Sequence, residues 1–282
     1  MTEQQILDAG TQAIAEARRL WSVTALLKAG LGVGENIVGW TAKVTAWRAY
    51  DDIEILQAYA SKDQRDAAIK WLTDARWEKR NVAMAEGQDV HDVIEAYAYG
   101  RKPELDDVMA PYDVQIRKFL EDHNPTFEAA EAPVYNLTFG YAGTMDLILV
   151  VDGKRVIVDA KTTTKDPNDP EVRSMPPYAE VALQLVAYAR AERVGTSPAV
   201  VREKNRRRYY VYDPDLGYEP MPQLDGAMAL VVSPYHYRFV PVAIDDEVWT
   251  AFGHVREAAR WNLETAKRVI GPDITPKPKE ES

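Results

Sequence analysis

Two residues of opposite charge, Asp159 and Lys161, stand two positions apart in a run that is otherwise apolar. Side chains alternate across a β-strand, so the residues on either side of Ala160 point to the same face. This run, KRVIVDAKT, follows Asp152-Gly153, a dipeptide typical of a type I′ turn between two strands. We therefore predict a β-hairpin whose second strand carries a carboxylate and an ammonium group side by side.

A second carboxylate, Asp146, lies on the first strand of the same hairpin, in YAGTMDLILVV. Counting outward from the turn brings it within one or two positions of Asp159, although the register is not fixed by sequence. Two acids among apolar residues are costly unless a cation neutralises them. A hard cation such as Mg²⁺ takes oxygen ligands, polarises a phosphate and lowers the pKa of a bound water. With Lys161 to orient that water and offset charge, the patch predicts phosphodiester hydrolysis.

The D-x-K pattern alone is weak, because this charged chain produces it easily by chance. An ion pair on an edge strand, with Asp146 merely beginning its strand, explains the same residues. Whether these residues form a catalytic site or only an ion pair depends on the elements around the hairpin.

The N-terminal third has a helical composition, with apolar residues at helical spacing over 63–99. We interpret the glycines of GLGVG at 30–34 as a loop. Strand-like runs begin near Pro133, and a polar loop spans 162–177. A helix over 177–194, further strands between 199 and 242, and a closing helix over 245–269 follow. The tail, 271–282, has the composition of a disordered end.

Composition narrows the class of protein. The chain has 282 residues and no cysteine, which excludes disulfides, thiolate zinc sites and cysteine-held iron–sulfur clusters. A net charge of -10 disfavours a protein that coats nucleic acid, but leaves room for a local basic patch. We find neither a secretory signal nor a membrane-spanning run, and therefore expect a cytoplasmic protein without a membrane partner.

Three motifs in a fixed order make the assignment more specific: Gly143 to Asp146, then Asp159-Ala160-Lys161-Thr162, then Gln184 and Tyr188 four apart on a helix. They resemble the G-x-x-D, D/E-x-K-T and Q-x-x-x-Y motifs of RecB-like nucleases of the PD-(D/E)XK superfamily. The upstream run from Gly87 to His91 resembles the G-x-x-x-H motif of the same group. The opening run from Ser22 to Leu27 is similar to small phage-type exonucleases related to CRISPR-adaptation nucleases. The resemblance covers about Trp21 to Tyr188.

The resemblance implies that His91, Asp146, Asp159 and the Ala160 carbonyl hold Mg²⁺ or Mn²⁺, and that Lys161 is the catalytic lysine. It implies that Gln184 and Tyr188, which share one helix face, contact Lys161 or the phosphate. An amphipathic helix that merely carries Gln and Tyr is the alternative, as a surface histidine is for His91. Two further acids are candidates for contacting the metal ligands from behind: Glu95, one turn after His91, and Glu131, before the first core strand.

Basic residues stand out against the acidic background in two clusters and one loop position. Each is a candidate for holding phosphate, and neighbouring tyrosines for stacking on bases; an edge strand protected by charge is the alternative for the second cluster. The candidates are Arg76, Lys79 and Arg80; Arg206, Arg207 and Arg208, followed by Tyr209 and Tyr210; and Lys165.

We therefore expect an α/β protein with a restriction-endonuclease-like core: a mixed central sheet flanked by helices, plus an α-helical N-terminal subdomain. The expected division is a helical part at 1–125, a nuclease core at 126–270 and the tail, within one folded unit. The expected function is a metal-dependent DNA exonuclease in phage or bacterial recombination, repair or processing. The partners are DNA ends and either a second copy or a recombination protein. A structure-specific or nicking endonuclease, and a catalytically silent DNA-end-binding or assembly protein, are the alternatives.

Overall fold

The computed structural model describes residues 19–32, 35–59, 62–169, 176–195, 201–204, 207–213 and 215–271. The helices in these segments are α1 (Val23–Leu31), α2 (Glu35–Asp51), α3 (Ile53–Ala58), α4 (Arg65–Ala98), α5 (Ala110–His123), α6 (Glu180–Ala189) and α7 (Asp246–Arg260). The strands are β1 (Arg19–Ser22), β2 (Thr126–Asn136), β3 (Tyr141–Val151), β4 (Lys154–Thr162), β5 (Arg193–Gly195), β6 (Val201–Lys204), β7 (Arg207–Val211), β8 (Tyr218–Pro220), β9 (Gly226–Val232) and β10 (Tyr237–Val242).

All of these strands join one mixed sheet, with the order β10-β9-β4-β3-β1-β7-β6 and a branch through β2, β5 and β8. The hairpin of β3 and β4 is confirmed: the strands are antiparallel, from Val151 opposite Lys154 outward. Asp152 and Gly153 both have positive φ, 50° and 75°, as a type I′ turn requires. β4 then pairs in parallel with β9, so it lies in the interior of the sheet.

Helices cover both faces of the sheet, because β3 and β4 are apolar on both sides. On one face Leu185 of α6 and Phe252 of α7 pack with Ile157 of β4. On the other face Ile94 of α4 and Ile116 of α5 pack with the neighbouring apolar residues of the strands. Burial of these two faces holds the hairpin in place and gives the mixed, helix-flanked sheet that we expected.

Strand β5 begins within the predicted helix over 177–194, and two strands that border the site were not predicted in full either. β1 was read as part of a helical third, yet it pairs in parallel with β3 and antiparallel with β7. β2 begins at Thr126 rather than near Pro133, because its early run, FEAAEA, lacks β-branched residues and depends on β3 for its hydrogen bonds. Both omissions matter, since these strands border the site.

The predicted loop over 30–34 is wrong at its start, because α1 extends through Gly30 to Leu31. Gly30 packs against α7, where a Cβ would collide with the carbonyl oxygen of Val255. Close helix packing, not a turn, therefore requires this glycine, and the helix ends at Gly32 with φ 74°.

The long helices agree better with expectation. α4 covers almost all of the predicted 63–99, and α7 is capped by Asp245, whose side chain accepts hydrogen bonds from the Glu247 and Val248 amides. The predicted tail lies outside the described residues, apart from Gly271. No helix in the described part of the chain has the length and apolar character needed to cross a bilayer.

Candidate active site

The site lies where β3 and β4 separate. The ladder between them ends at Leu147 opposite Val158. From there β4 follows β9 as far as Thr162, whereas β3 next pairs on this side with β1, at Tyr141 and Ala142. Between these two ladders lies a fork in the sheet, and Asp146 and Asp159 are the first residues beyond the last pair. This placement realises the sequence expectation that the two acids are neighbours.

Asp159 is a buried carboxylate, only 1% exposed. Its Oδ2 lies 2.5 Å from the Lys161 Nζ, which confirms that the two side chains share a face. Neither carboxylate oxygen accepts a hydrogen bond of regular geometry from any described residue. Buried oxygens with an incomplete set of partners are suited to a cation.

Asp146 spans the fork. Its Oδ2 accepts a hydrogen bond of 2.7 Å from the Ala160 amide, on the strand that carries Asp159. The same oxygen lies 3.9 Å from Nε2 of His91. Asp146 therefore connects β4 to α4, the helix that supplies the histidine.

His91 completes the group from the helix side. Its Nδ1 lies 2.9 Å from Oε1 of Glu131 on β2. Glu131 has φ 48°, and it stands between Ala130 and Ala132, whose partners on β3 flank Asp146. The backbone departs from extended geometry at this residue, where the acid reaches the histidine, and the strand continues in the same register on either side.

His91, Glu131 and Asp146 each offer one ligand atom, and these atoms lie within 4.8 Å of one another. The sequence prediction had Asp159 and the Ala160 carbonyl with His91 and Asp146, and it had Glu131 only in the second shell. A narrow recess adjoins the group and is lined in part by Glu95 and Ala160. Glu95 also faces Arg101, at 3.4 Å. One imidazole with two or three carboxylates fits a divalent cation that accepts oxygen ligands.

The electrostatics of the group favour positive charge. Burial alone would lower the pKa of His91, but the hydrogen bond to Glu131 and the charges of Asp146 and Glu131 raise it to about 9. Burial, with the charge of Asp146 nearby, raises the pKa of Asp159 to about 6. Burial also raises the pKa of Asp146. The acids hold protons more tightly than free carboxyls because too little positive charge is buried with them.

Gln184 and Tyr188 lie on the face of α6 that approaches the fork, and the Gln184 amide Nε2 is 3.5 Å from the Tyr188 hydroxyl. The Tyr188 ring packs directly on Gly143, where a Cβ would lie 2.5 Å from its Cε1. Gly143 of the G-x-x-D motif therefore leaves the space that Tyr188 of the Q-x-x-x-Y motif occupies. Burial and the charges of Asp146 and Asp159 raise the pKa of Tyr188, so its hydroxyl stays protonated.

Tyr210 is a neighbour whose place the sequence did not show. Its hydroxyl lies 3.0 Å from the Thr144 Oγ1, and its ring packs edge-on against Tyr135. We expected Tyr210 to be available for stacking on bases, whereas it is held against the sheet. Its position follows from the pairing of Leu20 with Tyr210, which requires the unpredicted β1.

The basic candidates lie in different environments. Arg76, Lys79 and Arg80 are on α4, and Lys165 lies just after β4. Arg207 and Arg208 belong to β7, which is described by its backbone, and Arg206 lies outside the described residues. The fork does not include any of these residues.

A buried fork with two acids, a lysine and a histidine defines a class of phosphodiester-cleaving domains, and comparison with known families agrees. The family model of the PD-(D/E)XK nuclease superfamily matches residues 48–281. The chain belongs to this superfamily of nucleases, whose members use divalent metals and act on DNA, and the restriction-endonuclease-like fold is confirmed. A search of curated proteins found no match.

Proposed function

We propose that this protein is a metal-dependent DNA exonuclease of the RecB-like branch, working in phage or bacterial recombination, repair or processing. The observation that carries the catalytic part is the fork, where Asp146, Asp159 and Lys161 meet His91 and Glu131. Buried charges at this density are costly, and they are found where a site needs them.

His91, Glu131 and Asp146 would hold Mg²⁺ or Mn²⁺, with Asp159 and the Ala160 carbonyl as further oxygen donors. The bound ion supplies Lewis acidity to the phosphate and lowers the pKa of a water molecule. Lys161, one-third exposed, faces the open side of the fork, where it orients water and offsets negative charge on phosphorus. Gln184, beside the protonated Tyr188 hydroxyl, positions these groups.

The order and spacing of the motifs support the RecB-like branch and, with it, exonuclease action on DNA ends. An endonuclease with the same residues is the first rival. The second is a DNA-end-binding protein without catalysis. The Asp159–Lys161 pair disfavours this second rival, because a protein that only binds DNA has no use for a carboxylate that is buried with a single ammonium group and without regular hydrogen bonds from the described residues.

The test compares the wild type with Lys161→Ala on linear and closed circular DNA, with Mg²⁺, with Mn²⁺ and with a chelator. Lys154→Ala is the matched control, since Lys154 is exposed at the opposite end of the same strand. Loss of the linear form, only with metal and only in the wild type and the control, supports the exonuclease. Cleavage of the circle indicates the endonuclease, and equal inactivity of all three proteins under every condition removes the catalytic proposal.

A further inference from the structure

The helix that supplies His91 changes its charge along its length. Residues 65–80 of α4 contain five basic and three acidic side chains, whereas 86–98 contain four acidic ones and neither Lys nor Arg. The acidic half borders an open groove of about 860 Å³ whose lining has five acidic residues against two basic ones, Arg101 and Lys102. A polyanion that reaches His91 is therefore repelled from one side and attracted from the other.

The basic half of α4 has two faces, and α2 covers one of them. Ala75 is 2% exposed there and Glu78 pairs with Arg48, while Lys79, itself exposed, lies at the border of this face, 5.3 Å from the centre of the Trp47 ring. This face is therefore occupied by packing within the protein.

The other face is open and leads to the site. Going back from His91 in steps of four and three residues, a stripe runs through Gly87, Met84, Arg80 and Trp77, because residues at this spacing share one side of a helix. Met84 is 62% exposed and Trp77 is 43% exposed. Trp77 lies 14 residues before His91, about 21 Å along the helix.

Trp77 is surrounded by cations that have no acidic partner. The guanidinium groups of Arg76 and Arg80 lie 4.7 and 4.4 Å from the centre of its ring. Among the described residues neither arginine forms a salt bridge, although the chain has ten more acids than bases. The Nε of Arg76 is buried and lacks a hydrogen-bond partner in the described part of the chain, whereas Arg80 is exposed. An aromatic ring with free guanidinium groups is suited to a base and its phosphates.

We propose that this stripe, from His91 to Trp77, guides a single strand of DNA to or from the metal site, with a base stacked on Trp77 and phosphates on Arg76 and Arg80. Stacking on Trp77 needs an unpaired base, so the stripe selects single-stranded DNA. At a rise of 3.4 Å, roughly six nucleotides span the distance from the site to Trp77. The proposal rests on the proposed nuclease function and names the form of DNA that the site receives.

The test is fluorescence anisotropy with labelled oligodeoxythymidine of four and of twelve nucleotides, and with a twelve-base-pair duplex. The Lys161→Ala background with Mg²⁺ leaves the probe intact. Trp77→Ala should weaken binding of the twelve-nucleotide strand about tenfold and leave the four-nucleotide strand and the duplex within twofold. Arg80→Ala should weaken binding of the longer strand several-fold and reduce the salt slope by about 0.7.

Lys154→Ala is the control, because it removes one positive charge from an exposed position at the start of β4, outside the stripe, and it should change affinity less than twofold. Trp77→Phe should retain most of the binding, and circular dichroism shows whether each variant folds. Equal losses for Lys154→Ala and Arg80→Ala, or equal effects of Trp77→Ala on strand and duplex, contradict the proposal. Cleavage by the wild type is measured separately. If the protein cleaves DNA with metal but the binding effects are absent, only the proposed DNA path along α4 is refuted. If the binding effects are present but no DNA is cleaved, only the proposed nuclease function is refuted.

Discussion

The fork and the basic half of α4 both concentrate charge, but they do so in opposite environments. At the fork, Asp159 is 1% exposed, so burial first and the charge of Asp146 second raise its pKa. On α4, Arg80 and Trp77 stand in solvent and affect each other mainly by stacking. Burial makes each residue of the fork necessary to the others, whereas solvent screening makes the residues of the stripe additive. Substitutions should therefore have large, coupled effects in one region and small, independent effects in the other.

The largest effect is expected for Asp159→Asn. The amide keeps the shape of the side chain but removes a buried charge, so metal-dependent DNA cleavage should fall at least about 100-fold. Cleavage rates at saturating Mg²⁺ measure this change. Asp169→Asn, in the exposed loop after β4, is the control of equal chemistry. If the activity of Asp159→Asn stays within a few-fold of that of the wild type, Asp159 is not part of the active site.

Gly143→Ala tests the packing of the fork. The new Cβ would overlap the Tyr188 ring, so we expect activity to fall about tenfold or more and the free energy of unfolding to fall by about 1–3 kcal/mol. Gly87→Ala on α4 is the counterpart, because no atom lies within 4 Å of its Cβ position. It should raise the free energy of unfolding by up to about 1 kcal/mol. Urea denaturation of both variants measures the free energy of unfolding. Equal changes of the same sign in the two variants would contradict the contrast between the packed fork and the open face of α4.

Metal affinity should depend on pH in a way that follows from the raised pKa values. Because His91 has a pKa of about 9 and Asp159 of about 6, and burial also raises the pKa of Asp146, binding displaces at least one proton between about pH 6 and 9 and more below about pH 6. Affinity should therefore rise at least about tenfold per pH unit between these values and more steeply below them. Calorimetric titration with Mn²⁺ in buffers of different ionisation enthalpy measures the released protons. A metal affinity that does not change between pH 6 and 9 would show that the ion does not displace the proton of His91.

The smallest effects belong to the exposed stripe. Arg76→Ala and Arg80→Ala should each lower the affinity for a single strand several-fold at low salt, and the double variant should give the product of the two. Raising the salt concentration should shrink all three differences. A double variant that differs from the product by more than about fivefold would show that the stripe is coupled, as the fork is.

The sequence by itself determined the local parts of this protein. The Asp152-Gly153 turn and the apolar runs beside it were enough for the hairpin, and the alternation of side chains placed Asp159 and Lys161 on one face. Helical spacing likewise located α4 and α6 and joined Gln184 to Tyr188. These features depend on neighbours in the chain, so short-range periodicity reveals them.

Only the tertiary structure decided the contacts between residues that are far apart in the sequence. Glu131 meets His91 because β2 pairs with β3 and turns through a positive φ, and β2 has no strand signal in this region. Tyr210 reaches Thr144 through β1, a strand of four residues whose partners lie more than a hundred positions away. The sequence also left undecided which side of α4 is packed, since only the contact with α2 buries Ala75 and leaves Trp77 and Arg80 in solvent. Long-range strand pairing and burial, which leave little local pattern, set these contacts.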